Sequence, residues 1–103
     1  MLLLLAQLQA HIAAKDEVKS LLEILLATTQ EEAGSIFYAV HQQRDQPDKF
    51  MVYELYRGKA SCDAHLQSVP VKAALQRLEA LLAQPPTITF CDTVAYTSLK
   101  TYA

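Results

Sequence analysis

Few polar side chains of this sequence stand inside apolar runs, and those few carry most of its chemical interest. Glu54 is flanked by Val52, Tyr53, Leu55 and Tyr56. A carboxylate in such a run is costly unless it is paired or hydrogen-bonded. It is either a working acid or base, or a group held at an exposed strand edge or by an arginine at a subunit contact. His65 follows Asp63 by two residues and precedes Leu66, and His41 closes the run from Ile36 to Val40. Imidazole is the side chain best suited to take and return a proton near neutral pH, so either can serve as a general base. His11 reads as a surface histidine. Tyr38, Tyr53, Tyr56, Tyr96 and Tyr102 can line a pocket and hydrogen-bond an oxygenated aromatic ligand, or simply fill a core. Whether His41 and Glu54 share a face depends on hairpin register, because a one-residue slip moves a side chain to the other face.

Other chemistries are excluded. Cys62 and Cys91 make no disulfide framework and lack zinc spacing, and read as small apolar fillers in a reducing compartment. The three histidines show no metal-binding spacing, and no nucleophile–base pairing can be argued. Two glycines leave no room for a phosphate-cradling loop. The formal net charge is −2 and no stretch gathers Lys and Arg, so neither nucleic acid nor an anionic membrane is expected as a partner. The apolar start Met1–Leu5 has no basic flank and ends by Gln7, which points to a cytoplasmic protein rather than a secreted one.

The elements that must position these groups are readable from periodicity. At 103 residues, 51% of them hydrophobic, the chain makes one domain, residues 1–103. Alternation from residue 2 to about 11 predicts a strand. Val18, Leu21, Leu22, Leu25, Leu26 and Thr29 form the apolar stripe of a helix over 15–33, with Gly34 as its left-handed stop. Two strands, 35–43 and 50–57, flank the turn Arg44–Asp48. A short helix over 59–67 is followed by another from Ser68 and Pro70 to about Ala83. A last strand runs from Thr87 to about Leu99. The order β-α-β-β-α-β is the ferredoxin-like arrangement, an α+β four-stranded antiparallel sheet with helices on one face. The hairpin strands are apolar on both faces, so the uncovered face needs a partner, most simply a second copy in a two-fold homodimer.

The sequence also resembles a known family. Tyr53-Glu54-Leu55-Tyr56-Arg57, Ala64-His65-Leu66-Gln67-Ser68 and Val71-Lys72 resemble the antibiotic biosynthesis monooxygenase (ABM) domain, closest to the small quinol monooxygenases and autoinducer-2-degrading isomerases. Glu31-Glu32-Ala33-Gly34 and Tyr38-Ala39-Val40-His41 resemble that family's Glu-x-Gly turn and second strand. Tyr56 stands where relatives usually carry Trp, and Val69-Pro70 where many carry a Thr-Pro-His segment. The absence of Trp argues against the haem-degrading branch. The resemblance implies a dimeric α+β barrel and cofactor-independent monooxygenation of a small quinol-like or phenolic substrate by dioxygen. His65 or His41 would be the base, with Glu54 orienting it or holding the substrate hydroxyl. Tyr38 and Tyr53 would bind substrate oxygens, and Tyr56 would shape the pocket. An isomerase of a small signalling or catabolic metabolite, or a non-catalytic binding module, would use a similar scaffold.

Overall fold

The computed structural model describes residues 1–98; Tyr102 and the end of the strand expected near Leu99 lie outside the described residues. The chain runs β1 (Leu2–Gln9), a 3₁₀ turn (Ile12–Ala14), α1 (Lys15–Gln30), β2 (Ser35–Gln42), β3 (Lys49–Tyr56), α2 (Lys59–Gln67), α3 (Val69–Leu81) and β4 (Thr87–Asp92). The four strands form one sheet in the order β2-β3-β1-β4, and every neighbouring pair is antiparallel. This is the expected ferredoxin-like arrangement.

Strand alternation sorts β1 and β3 into two faces. Leu4, Ala6 and Leu8 on β1 and Phe50, Val52, Glu54 and Tyr56 on β3 turn toward the helices and are buried. They pack against Val18, Leu22 and Leu25 of α1 and Val71 and Leu78 of α3. The opposite face carries Leu3, Leu5, Phe37, Ala39, Met51, Tyr53 and Leu55, and among the described residues no helix packs over it. Phe37 and Tyr53 meet there edge to face, ring centroids 5.8 Å apart.

Three boundaries differ from expectation. Helix α1 ends at Gln30, and Gly34 does not have positive φ, so it is no left-handed stop. Glycine is needed there for a different reason: an added Cβ would overlap the Cβ and Oγ of Ser61 on α2. The α1–β2 turn is thereby allowed to lie directly against α2. Helix α3 stops at Leu81, ahead of Pro85-Pro86. Strand β4 ends at Asp92, where its pairing with β1 runs out at Leu2, and Val94 and Tyr96 beyond it are exposed rather than packed. Cys62 is buried as a filler would be, but Cys91 is exposed on β4.

Gly34→Ala should destabilise the chain by about 1–3 kcal/mol, the usual cost of overpacking a close contact. Urea unfolding of the single and double variants checks this. Ser61→Gly should relieve most of the loss in a Gly34→Ala background; additive losses would show that the two residues do not press on each other.

Candidate active site

Glu54 lies on an internal strand, opposite Leu4 of β1 and Tyr38 of β2, and is buried under the helices. The exposed-edge alternative therefore does not apply. Gly58 follows β3 closely, and α2 folds back over it at once. Cys62 and His65, three residues apart on one helical face, point inward and are buried. This brings the His65 ring over β3. Its Nε2 is 3.4 Å from Glu54 Oε1. The Tyr56 hydroxyl donates to the same carboxylate oxygen at 2.6 Å.

The other ring nitrogen is also engaged. His65 Nδ1 is 2.6 Å from Glu32 Oε1, a residue of the turn after α1. Thr29, fully buried in the last turn of α1, places its hydroxyl 3.5 Å from the same nitrogen. The sequence reading singled out neither Glu32 nor Thr29 as a site residue. Glu32 stands in the Glu-x-Gly turn, a signal of a special turn but not of what it faces. Thr29 is indistinguishable from any other polar member of an apolar helical stripe.

Burial pushes the Glu54 carboxyl above its usual range, against the opposing pull of the Tyr56 hydrogen bond and of His65. Burial also pushes the Tyr38 and Tyr56 phenols up, and the nearby Glu54 charge adds to the shift. Both phenols therefore stay protonated, and that of Tyr56 donates to Glu54.

Glu54, His65 and Tyr38 line a cavity of about 600 Å³ between the sheet and the helices. They sit toward its β2–β3 side. The rest of its wall is almost entirely apolar, with Leu22, Leu25, Val71, Leu78 and Leu82 among its members. Toward β4 the wall includes Leu75, Ile88 and Phe90, all of which remain exposed, so the cavity opens between α3 and β4. Glu79 is its other carboxylate among the described residues, none of which brings a Lys or Arg to the wall.

The structure does not bring His41 or Tyr53 to this cavity. His41 pairs with Met51, and Tyr53 pairs with Leu5 and Ala39, all on the open face. The hairpin register is thus the one that separates His41 from Glu54. Tyr96 is exposed and does not line the cavity. Among the described residues, no group of three or more His, Cys, Asp or Glu is arranged to hold a metal ion, and no helix is long and apolar enough to cross a membrane.

The sequence matches the family model of the antibiotic biosynthesis monooxygenase over residues 1–77, a span that contains Glu32, Tyr38, Glu54, Tyr56 and His65. The chain belongs to the antibiotic biosynthesis monooxygenase family. Solved structures share its fold. An antibiotic biosynthesis monooxygenase superposes with a TM-score of 0.86 at 24% identity, covering 92% of this chain and 100% of the other. A Mycobacterium tuberculosis protein gives 0.88 at 21% identity, covering 94% and 98%. A Pseudomonas aeruginosa protein gives 0.83 at 28% identity, covering 91% and 94%. An uncharacterized protein of Synechocystis sp. is 26% identical over 74 residues, 72% of this chain. This ABM chain spans only half the length of that curated relative, 50%.

The raised Glu54 carboxyl has a consequence for stability. An acid whose folded value is raised binds its proton more tightly in the folded chain. Its contribution to stability is complete below the usual 4.5 and is lost as pH rises through the folded value. Glu54→Gln keeps an acceptor for Tyr56 and cannot ionise. Its melting temperature should exceed that of the wild type at about pH 8, with the difference shrinking toward about pH 4. A difference that stays constant over that range would contradict a raised carboxyl.

Proposed function

We propose that this chain is a cofactor-independent monooxygenase of a small, uncharged quinol-like or phenolic substrate and that it works as a homodimer. The observation that carries this reading is the Glu54–His65 pair, 3.4 Å apart, on the wall of a cavity that is otherwise nearly all apolar. A quinol entering between α3 and β4 would give its hydroxyl proton to that pair. The resulting anion is electron-rich enough to pass one electron to dioxygen. Recombination of the two radicals forms a carbon–peroxide bond. Loss of water then leaves a hydroxyquinone, so one quinol and one dioxygen give one hydroxyquinone and one water. The protein supplies the base, a Tyr38 hydroxyl to donate to the developing oxyanion, and a dry surround in which both count for more.

The wall chemistry also bears on the alternatives. An isomerase needs a similar base, since it removes a proton beside a carbonyl and returns it. A phosphorylated or carboxylated metabolite would call for a lysine or arginine, whereas the described residues of the wall hold the carboxylates Glu54 and Glu79 and no Lys or Arg. An uncharged substrate suits the cavity better. His41 and Tyr53, expected in the site from the resemblance, have no part in this proposal.

Oxygen uptake with menadiol tests the reading. His65→Ala should lower turnover by roughly 100-fold, the lower end of what a general base contributes. His41→Ala should leave it unchanged. One labelled oxygen atom from ¹⁸O₂ should appear in the product. Equal rates for the wild type and His65→Ala would remove His65 from the mechanism. Tight binding of a quinol without any turnover would favour a binding module.

The homodimer rests on the open sheet face. Leu3, Phe37 and Leu55 lie side by side across β1, β2 and β3 there, a patch that water covers at a cost. Sedimentation should show a dimer at micromolar concentration, and Leu55→Glu should shift it to monomer. A monomeric wild type would overturn this part of the proposal.

A further inference from the structure

We propose that Glu32 is the positioning residue of this site, fixing His65 in its Nδ1–H tautomer so that Nε2 and Glu54 hold a single proton between them. The proposal rests on the reading of the Glu54–His65 pair as the base. The Glu32 carboxylate approaches Nδ1 with both oxygens, at 2.6 and 3.3 Å. A carboxylate can only accept, so Nδ1 must carry the hydrogen. The neighbouring Thr29 hydroxyl gives its own hydrogen to the Leu25 carbonyl at 2.7 Å and turns only lone pairs toward the ring. Both contacts at Nδ1 therefore select the same tautomer.

The consequence appears at the other nitrogen. In the neutral ring Nε2 then carries a lone pair, and it faces Glu54 Oε1 at 3.4 Å. That oxygen already accepts from Tyr56 at 2.6 Å. Two bare acceptors facing each other repel, so one proton must lie between Nε2 and the carboxyl. When the substrate hydroxyl loses its proton, Glu54 takes it and the shared proton stays on Nε2. No other bond breaks. The imidazolium so formed is held by the Glu32 carboxylate beside the substrate anion. The titratable groups facing the ring are Glu32 from the α1–β2 turn, Tyr38 from β2, and Glu54 and Tyr56 from β3. Only Glu32 among these meets Nδ1. Without it, Nδ1 loses its carboxylate acceptor, the ring is free to move its hydrogen to Nε2, and the imidazolium that faces Glu54 during proton transfer has no counter-charge on its far side.

Long-range ¹H–¹⁵N spectra of the full chain read the tautomer directly. The wild type should show His65 protonated at Nδ1. Glu32→Ala should show loss of that tautomer, and menadiol turnover should fall about tenfold with KM changed less than about twofold. Glu32→Gln retains an acceptor oxygen and should restore both the tautomer and most of the turnover. A wild-type ring protonated at Nε2 with a bare Nδ1, or a Glu32→Ala ring with an unchanged tautomer, would overturn the proposal while leaving the monooxygenase reading intact. A chain that oxidises no quinol, yet loses the Nδ1–H tautomer in Glu32→Ala, would do the reverse.

Discussion

Glu54 sits on an internal strand, on the face the helices cover, and a carboxylate there has to be answered by its neighbours. Two of them do so. Tyr56 donates a hydrogen bond from the same strand and His65 arrives from α2, while burial holds the carboxyl above its usual range. The surrounding local structure follows from this need. Only Arg57 and Gly58 separate β3 from α2, so the chain returns an imidazole directly over the strand just left. Gly34 lets the α1–β2 turn close against Ser61 of the same helix, which delivers Glu32 to the far side of the ring. Two elements distant in sequence are thereby joined through one histidine.

The cavity beside this cluster joins opposite requirements. Its apolar lining is ordinary helix-on-sheet core that has not closed completely, because α3 and β4 stand apart where Leu75, Ile88 and Phe90 remain exposed. An enclosed apolar site makes each hydrogen bond and each charge within it count for more than it would in water. One end is polar and proton-bearing while the remainder is greasy.

Much of this was readable in advance because strand alternation is strict. Glu54 amid Val52, Tyr53, Leu55 and Tyr56 could only be a misfit or a working group, and His65 stood out by residue type, although that α2 turns it inward beside Cys62 is a finding of the structure. The order of elements followed from periodicity and turn residues. The hairpin register did not, since the polar linker from Gln43 to Asp48 permits more than one pairing. His41 and Tyr53 consequently went to the open face, although their residue types suited the site as well as those that did reach it. The last strand was read too long, because Val94 and Tyr96 continue the alternation after the hydrogen-bonding partner on β1 has ended.

The sequence by itself determined the element types, the one-sided placement of the helices, the apolar character of both sheet faces and the acid set within an apolar run, while leaving its histidine open between His41 and His65. Each of these is a local matter of side-chain type and spacing. Tertiary structure alone decided which oxygen meets which nitrogen: that Glu32 reaches Nδ1, that Thr29 lies beside it, and that Tyr56 shares Glu54. Those contacts span up to 36 residues of sequence. They depend on how far α1 runs before its turn and how closely that turn lies on α2, distances that no pattern of neighbours along the chain encodes.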